Sequence, residues 1–397
     1  IYAIKSAKQA QIKWQEKTIE ERQLVCELFK IVLEKNKEVI AKTISQEMGK
    51  PLWESRGEVS AMCQKIPVSV QAYLDRCKSQ EFPLKDKIVK TQYKPLGVVG
   101  VLGPFNFPGH LPIGQIIPAL LAGNTVVFKP SEQTPMVGEL LASLWELSKA
   151  PKGLFNMVQG GSEVGQAIAM HPDINGLFFV GGYNTGKKLA ALYGDFPHKC
   201  LVLELGGNNP MIVSEVDHIH NAARHIIQSA FITTGQRCSC LRRLIIIENK
   251  QTKKLITEIE KGIQNLQMGA FDAKKEPFCG PLISQNTQQT IKQVYDQWTQ
   301  LGAQPITKCE VFGKKGYFIK PGLIDVTEIQ HAIEDEEQFG PICQLIKSKS
   351  LQEAIQIAND TKFGLTASIL SKHEKEYKEA YQNIQAGIIN WNTPTSG

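Results

Sequence analysis

The chain has 397 residues, 42% of them apolar and 21% charged, and a net charge of +6. This length favours two or three domains, and the composition is typical of a soluble globular protein. The lysines and arginines are scattered, which argues against a nucleic-acid-binding surface, and the apolar runs are too short to cross a bilayer.

The nine cysteines are odd in number and spread over nearly the whole sequence. They form no CxxC pair and no Cys/His cluster with the spacing of a zinc site. We therefore expect reduced thiols in a cytoplasmic protein, and no bound metal.

In chain order, residues 1–75 predict helices, because apolar and charged positions recur at helical spacing until Gly49-Lys50-Pro51 interrupts them. Residues 80–95 contain short alternating stretches and prolines, which predict an exposed strand or hairpin. From residue 96 onward strands alternate with helices, beginning with the strand LGVVGVLGP and the helix HLPIGQIIPALLAG. This alternation predicts an α/β fold with a parallel sheet covered by helices, followed by a second α/β unit from about residue 207.

Polar residues and glycines follow several of these strands, at the ends where open parallel sheets bind ligands. Asn106 follows the first strand, Lys129 and Glu132 follow the second, and glycine pairs at 160–161 and 181–182 follow two more. Lys129 and Glu132 could both contact the hydroxyl groups of a ribose. A solvated turn is the favoured explanation when that tetrapeptide, KPSE, is taken alone.

The stretch FFVGGYNTGKK predicts a strand that runs into Gly181 and Gly182, before a helix capped by Asn184 or Thr185. Amides at such a helix start can bind phosphate. The glycine spacing, completed by Gly186, differs from the dinucleotide motif GxGxxG, so the loop on its own is more often a tight turn.

Glu204 lies in LVLELGGNNP, between an apolar strand and two glycines. A carboxylate in that setting is costly unless it is paired, or unless it is needed as a base. A satisfied structural glutamate and a catalytic base are equally compatible with this residue alone.

Two cysteines lie close together in FITTGQRCSCLRR. Cys238 directly follows Arg237, and a nearby cation or helix end can give a thiol thiolate character. Cys240 would share a face with Cys238 in an extended segment but not in a helix. Taken singly, either thiol is more often a core residue than a nucleophile.

Six motifs, taken together and in order, change that interpretation. They are Pro104-Phe105-Asn106-Phe107-Pro108, Lys129-Pro130-Ser131-Glu132, Phe179-Val180-Gly181-Gly182, Glu204-Leu205-Gly206-Gly207, Gly235-Gln236-Arg237-Cys238 and Glu337-Gln338-Phe339-Gly340-Pro341. Their order and approximate spacing resemble the aldehyde dehydrogenase superfamily over essentially the whole chain.

The resemblance implies an NAD-dependent enzyme with three parts. These are a Rossmann-type NAD-binding domain (1–79 and 96–206), a catalytic domain (207–397) and part of an oligomerisation hairpin (80–95). Cys238 would attack the aldehyde carbon, Asn106 and the Cys238 N–H would form the oxyanion hole, and Glu204 would activate the water that hydrolyses the thioester. Cys240 would be structural.

The same resemblance implies a set of cofactor contacts. They are Phe105, Lys129, Glu132, Gly160, Gly165, Gly181, Gly182, Tyr183, Asn184, Thr185, Gly186, Leu205, Glu337 and Phe339. Glu132 favours NAD over NADP, since a carboxylate near the ribose 2′-OH repels a 2′-phosphate.

Within the superfamily, FNFPGHLP, ELGGNNP, QSAF, GQRCSCLRR and GIINWN resemble the succinylglutamate semialdehyde dehydrogenases of arginine breakdown. Glutamate-semialdehyde (pyrroline-5-carboxylate) dehydrogenases share GQRCS and are the alternative. An inactive scaffold is disfavoured, because nucleophile, base and oxyanion amide are all present.

A dicarboxylate aldehyde needs a cation in its pocket. Arg237 would face the aldehyde, and His110 would point to the same side as Asn106 if a helix begins at Pro108. Arg237 could instead pair with an internal carboxylate, and His110 could simply pack.

Two departures from the family pattern stand out. Val180-Gly181-Gly182 replaces the usual Thr-Gly-Ser, which removes one hydroxyl contact to the pyrophosphate. The family also begins before Ile1 and continues past Gly397, so the resemblance implies missing terminal strands. Those strands would complete the substrate pocket and the interface of a homodimer or homotetramer.

Overall fold

The computed structural model describes residues 1–313 and 315–396. The chain divides into two compact units. The first consists of Ile1–Met48 and Leu52–Leu205, and the second of Gly49–Pro51 and the residues from Gly206 onward.

Four helices open the first unit: α1 (Tyr2–Trp14), α2 (Ile19–Lys35), α3 (Lys37–Met48) and α4 (Leu52–Arg76). Thr18 begins α2 with a capping box, in which its hydroxyl accepts the Glu21 N–H while the Glu21 carboxylate accepts the Thr18 N–H. The helical prediction for this part of the chain is confirmed.

A hairpin follows, with antiparallel strands β1 (Gln80–Leu84) and β2 (Lys87–Thr91). All ten residues of the two strands are exposed, including the apolar Phe82 and Ile88. An isolated two-stranded ribbon is marginally stable in water, so an exposed apolar one usually packs against a partner.

The rest of the first unit is a five-stranded parallel sheet with helices between the strands. Its elements are β3 (Val98–Leu102), α5 (His110–Leu121), β4 (Thr125–Lys129), α6 (Pro135–Leu147), β5 (Phe155–Met157), α7 (Ser162–Met170), β6 (Gly176–Val180), α8 (Tyr183–Tyr193) and β7 (Cys200–Glu204). The strand order is β5-β4-β3-β6-β7. The direction in which strands are added therefore reverses between β3 and β6, and such a switch point leaves a crevice at the carboxyl ends of the strands.

The second unit is built on a seven-stranded mixed sheet. Its strands are β8 (Asn209–Val213), β9 (Leu241–Ile247), β10 (Gln304–Thr307), β11 (Gly322–Asp325), β12 (Ile342–Ser348), β13 (Thr366–Leu370) and β14 (Ile388–Trp391). Its helices are α9 (Ile219–Phe231), α10 (Thr252–Gln264), α11 (Gln285–Gln300), α12 (Leu351–Asn359) and α13 (Glu374–Asn383), with 3-10 turns at Ile232–Gly235 and Thr327–Ala332.

The strands of this sheet lie in the order β10-β11-β12-β9-β8-β13-β14. Only β10 pairs antiparallel with its neighbour, at one edge. Strands β8, β9 and β12 are buried along nearly their whole length, as expected for strands covered by helices on both faces. The predicted fold class, a parallel-sheet domain plus a second α/β domain and a small hairpin, is confirmed.

The nine cysteines all lie in the described part of the chain and carry thiols rather than disulfides.

Among the helices that the structure describes, none has the length and apolarity that a membrane span requires.

Candidate active site

Asn106 lies in the turn between β3 and α5, on the switch-point side of the first sheet, and only 4% of it is exposed. Glu58 on α4 secures the end of this turn: its Oε1 accepts the Gly109 N–H at 2.9 Å and the His110 N–H at 3.0 Å. Glu58 is itself 2% exposed. A buried carboxylate at the first amides of α5 therefore fixes the chain just after Asn106.

Helix α5 begins at His110, with Gly109 as its N-cap. This is the start of the predicted helix HLPIGQIIPALLAG, and the alternative start at Pro108, on which the expected orientation of His110 depended, is not found. Helical spacing then gives no reason for His110 to point toward Asn106. The His110 ring instead packs edge-on against Phe107, with the ring centroids 6.3 Å apart.

Lys129 is the last residue of β4, and its ammonium group lies just past the carboxyl end of the strand. Its Nζ donates hydrogen bonds to the carbonyls of Pro130 (2.6 Å) and Gly160 (2.8 Å) and lies 3.4 Å from Glu132 Oε2. The lysine is nearly buried, whereas 63% of the Glu132 side chain is exposed. One cation thus ties the Lys129–Glu132 turn to the QGG loop after β5.

The loop after β6 leads directly into α8. This helix begins at Tyr183 with Gly182 as its N-cap, so the expectation that Asn184 or Thr185 would cap it is wrong. No side chain caps the helix. A β-carbon built on Gly182 would meet no atom within 4 Å, so the backbone here could accommodate the serine hydroxyl that the family usually carries.

Glu204 is the last residue of β7 and pairs in register with Val180 at the end of β6. Its carbonyl accepts the Gly181 N–H at 3.0 Å. Glu204 is exposed, so the burial cost inferred from the apolar sequence around it does not arise. The carboxyl ends of four neighbouring strands of one sheet, or the loops that directly follow them, therefore carry Asn106, Lys129, Gly181–Gly182 and Glu204.

In the second unit, the chain enters the Cys238 turn through a run of left-handed residues. Thr233, Thr234 and Gly235 have φ values of +54°, +55° and +72°. For a β-branched residue this conformation is a strained outlier and costs about 1–3 kcal/mol. The two hydroxyls help to hold it: Thr234 Oγ1 donates to the Gly280 carbonyl at 2.9 Å, and Thr233 Oγ1 accepts from Arg237 Nε at 2.7 Å.

The two neighbouring cysteines differ in exposure. Cys238 is half-buried, whereas Cys240 is completely buried, with its Sγ 3.6 Å from the Ile232 carbonyl. The Cys240 N–H donates to the Arg237 carbonyl, so the segment is a turn rather than an extended strand. The accessible thiol is therefore Cys238.

Asn209, in the GGNNP motif, is a positioning residue that sequence reasoning missed. Its Nδ2 donates to the carbonyls of Cys238 at 2.7 Å and Cys240 at 2.9 Å. The residue is 2% exposed. The paired asparagines were visible in the sequence, but only the contact shows which segment one of them holds.

Glu337 lies against the glycines of the ELGG motif. A β-carbon on Gly206 would come within 1.7 Å of Glu337 Oε2, so any larger residue there would displace this carboxyl group, and the Gly207 N–H donates to the same group. Burial raises the pKa of Glu337, while Arg242, whose Nη2 lies 3.7 Å from Oε1, and the Gly207 hydrogen bond oppose the rise. Among the described groups, the buried Oε1 has no hydrogen-bond partner.

The second unit places its candidates at the amino ends of strands. Gly206–Gly207 precede β8, Cys238 precedes β9 and Glu337–Phe339 precede β12, and these three strands are adjacent in the sheet. This is the edge opposite to the one expected for ligands of an open parallel sheet. Each unit thus gathers its own candidates: an amide, a lysine, a carboxylate and helix-start amides in the first, and a thiol, an arginine and a clamp of Glu337 with Phe339 in the second.

Chemically, the two sets include an accessible thiol, an exposed carboxylate at a strand end and a buried side-chain amide. Groups of these three kinds can serve as nucleophile, base and oxyanion donor in covalent acyl chemistry.

Comparison with known proteins leads to the same chemistry. The family model described as "Aldehyde dehydrogenase family" matches residues 1–397. A protein described as a methylmalonate-semialdehyde dehydrogenase from Sinorhizobium meliloti, complexed with NAD, is 25% identical. The match covers 99% of this chain and 81% of that one, with a TM-score of 0.93.

Two Escherichia coli structures are similar to the same degree. Lactaldehyde dehydrogenase is 28% identical over 99% of this chain and 82% of that one, with a TM-score of 0.94. A protein described as an NADP-dependent enzyme is 28% identical over 98% and 81%, with a TM-score of 0.93. The expectation of an aldehyde-oxidising enzyme is thereby confirmed at the level of the family. The chain belongs to the aldehyde dehydrogenase family.

Proposed function

We propose that this chain is an NAD-dependent dehydrogenase that oxidises N-succinylglutamate 5-semialdehyde to N-succinylglutamate in arginine catabolism. The observation that carries the reaction class is the half-buried Cys238 in a turn whose carbonyls are held by Asn209. The narrower substrate rests on FNFPGHLP, ELGGNNP and GQRCSCLRR. Glutamate semialdehyde is the second candidate, because enzymes for it share GQRCS.

In the proposed reaction, the Cys238 thiolate attacks the aldehyde carbon and forms a hemithioacetal. The amide of Asn106 and the Cys238 N–H stabilise the oxyanion. Oxidation of that adduct gives a thioester on Cys238, and Glu204 then takes a proton from the water that hydrolyses it. NAD, when bound, would accept the hydride.

The residues present fit this cofactor. Amides at the start of α8 carry no side-chain cap and are suited to the pyrophosphate. Lys129 and Glu132 would hold the adenosine ribose, and the buried Oε1 of Glu337 offers an acceptor for a hydroxyl of the nicotinamide ribose. The remaining contacts implied by the resemblance, from Phe105 to Phe339, belong to the same proposal.

NAD is proposed over NADP because Glu132 would repel a 2′-phosphate. The neighbour described as NADP-dependent shows that the fold serves both cofactors, so the choice rests on this residue.

The domain roles follow from the same assignment. We propose that residues 1–79 and 96–206 bind NAD and that the chain from 207 is catalytic. The hairpin at 80–95 would join two copies in a homodimer or homotetramer, since its strands are exposed and carry the exposed apolar side chains Phe82, Leu84, Ile88 and Val89. The cytoplasmic location expected from the reduced thiols belongs to the same proposal.

The nucleophile is tested by comparing two cysteine variants. Cys238→Ala should abolish NADH formation from any aldehyde, whereas Cys240→Ala should keep most of it. Both proteins should show the same circular dichroism. Equal loss of activity in two folded variants would contradict the assignment of a single nucleophile.

The substrate is tested with a panel of semialdehydes assayed side by side. The succinylated dicarboxylate should give the highest kcat/KM. Arg237→Met should lower this kcat/KM roughly ten- to a hundred-fold, because a hydrogen bond to a charged group contributes about 1.5–3 kcal/mol. The kcat/KM for a short uncharged aldehyde should fall much less. If both aldehydes lose activity equally, Arg237 serves the turn through Thr233 and not the substrate.

A further inference from the structure

Two adjacent arginines at the start of β9, Arg242 and Arg243, are almost completely buried, with 2% and 5% of their surface exposed. A buried cation is costly unless its donors are satisfied. Successive side chains of a strand point to opposite faces, so the two guanidinium groups donate to different segments. The terminal nitrogens of Arg242 are bonded, while its buried Nε has no hydrogen-bond partner among the described residues.

Arg242 donates to main-chain carbonyls of two loops. Its Nη2 donates to Gly235 at 2.7 Å and to Arg237 at 3.0 Å, in the turn immediately before Cys238. Its Nη1 donates to Gly340 at 3.1 Å. One planar group therefore spans from the nucleophile turn to the segment that precedes β12.

That second segment carries the proposed nicotinamide-ribose contacts. The carboxylate of Glu337 lies 3.7 Å from Arg242 Nη2, and the ring of Phe339 lies 5.7 Å from its Cζ. The two loops also touch directly, because a β-carbon on Gly235 would lie 2.1 Å from the Gly340 carbonyl. Arg242 and this contact therefore join the two loops directly.

Arg243 has equally demanding contacts in another place. It donates to the carbonyls of Asn208 (2.9 Å), Ile357 (2.8 Å) and Ala358 (2.9 Å), and so ties β9 to the end of α12. None of these carbonyls belongs to the nucleophile turn or to residues 337–340. Arg243 therefore supplies a matched control, a buried arginine that makes no hydrogen bond of its own to either loop.

We propose that Arg242 is a positioning residue that fixes the Cys238 turn relative to the Glu337–Phe339 segment. Cofactor binding at that segment would then change the reactivity of Cys238. The inference rests on the proposed function, since Glu337 and Phe339 matter to the reaction only if they contact NAD. The role depends on shape as well as charge. A lysine ammonium is a compact point charge that cannot reproduce the planar fork toward three carbonyls.

The test compares Arg242→Lys and Arg242→Met with Arg243→Lys and Arg243→Met. Melting temperature reports stability, steady-state kinetics report kcat and KM, and iodoacetamide alkylation of Cys238 is timed with and without saturating NAD. Stability should fall in both pairs. Only the Arg242 variants should lose kcat, by roughly ten- to a hundred-fold, because a misplacement of about 1 Å at reacting atoms has that effect.

The alkylation rate provides a readout that mere destabilisation would leave unchanged. In the unaltered protein and in the Arg243 variants, NAD should change the rate at Cys238. In the Arg242 variants, NAD should still bind but should no longer change it. The lysine variant keeps the test usable if the methionine variant does not fold.

Equal kcat losses at the two positions would overturn the proposal, as would an alkylation rate in the unaltered protein that NAD leaves unchanged despite binding. Failure of the unaltered protein to bind NAD at all, measured by tryptophan fluorescence, would instead refute the proposed function. The two failures are therefore distinguishable.

Discussion

Removing the Glu58 carboxylate should destabilise the protein far more than removing the Glu47 carboxylate, although each accepts two N–H groups at the start of a helix in the first unit. Glu58 accepts the N–H groups of Gly109 and His110 at the start of α5. Glu47 accepts those of Met136 and Val137, at 2.8 and 2.7 Å, in the first turn of α6. The two variants therefore remove the same number of hydrogen bonds from equivalent helix starts.

Burial decides the difference in magnitude. Glu58 is 2% exposed and the Gly109 N–H is buried, so in Glu58→Ala the amides lose a charged acceptor that water cannot readily replace. At about 1.5–3 kcal/mol for each of the two bonds to a charged group, the expected cost is about 3–6 kcal/mol. Glu47 is partly exposed and Met136, one of its two donors, is exposed, so water can replace part of what is lost and Glu47→Ala should cost about 1 kcal/mol, as for an ordinary helix cap.

A third variant separates hydrogen bonding from charge. In Glu58→Gln the amide oxygen can still accept both N–H groups, so only the charge at the helix start is lost, at about 0.3–1 kcal/mol. Thermal unfolding of the three variants measures this order. Activity should follow it, because Glu58 fixes the chain after Asn106 and an oxyanion donor contributes about 100- to 1000-fold to kcat.

Equal melting temperatures of Glu58→Ala and Glu47→Ala would show that burial does not set the cost. If Glu58→Ala is destabilised as expected but oxidises an aldehyde at the unaltered rate, Glu58 stabilises the fold without positioning Asn106.

Glu337→Gln should raise the melting temperature more at pH 8 than at pH 4. Burial raises the pKa of Glu337 in the native protein, so ionisation of this carboxyl group destabilises the native state as the pH rises past the pKa of the unfolded chain. A glutamine cannot ionise and avoids this loss. Asp335→Asn should do the reverse and destabilise mainly at neutral pH. Burial alone would raise the pKa of Asp335, but hydrogen bonds from side chains and an N–H lower it, and the stability they supply is lost as the pH falls. Shifts that do not vary with pH would contradict both. Gly182→Ser should bind NAD more tightly in calorimetry without destabilising the fold, whereas Gly181→Ser, whose β-carbon would lie 2.4 Å from an aromatic ring, should destabilise it. Phe82→Asp should lower the molecular mass in sedimentation by breaking the proposed assembly, and an unchanged oligomer would argue against the hairpin as its interface.

Local patterns were reliable wherever a physical cause acts over a few residues. Helical periodicity predicted the helices before residue 76. Short apolar runs that alternate along the chain with helical segments predicted β3, β4 and β6. Helix starts were less reliable. The N-cap of α8 is Gly182 and not Asn184 or Thr185. The start of α5 at His110 was predicted, but the sequence did not reveal that the buried carboxylate of Glu58, 52 residues earlier, accepts its first amide. No local signal carries that contact.

The site divides in the same way. The residue types and their order, with the proposed catalytic residues Cys238, Glu204 and Asn106 among them, were readable from motifs that resemble the family, and thioester chemistry needs groups of those kinds. The exposure of these residues could not be read from the sequence. The apolar residues around Glu204 suggested burial, but Glu204 ends β7 at the edge of the sheet and is exposed.

The sequence by itself thus determined the elements, the fold class and the chemical groups, since each depends on side-chain type and short-range spacing. Only the tertiary structure decided which of two cysteines is accessible, that Gly206 lies against the Glu337 carboxyl group, and which loops Arg242 and Asn209 hold. Those outcomes depend on the order of strands in the second sheet, where β8, β9 and β12 are neighbours although up to a hundred residues separate them in the chain. Long-range pairing of that kind is set by packing free energy summed over the whole unit, and no short stretch of sequence encodes it.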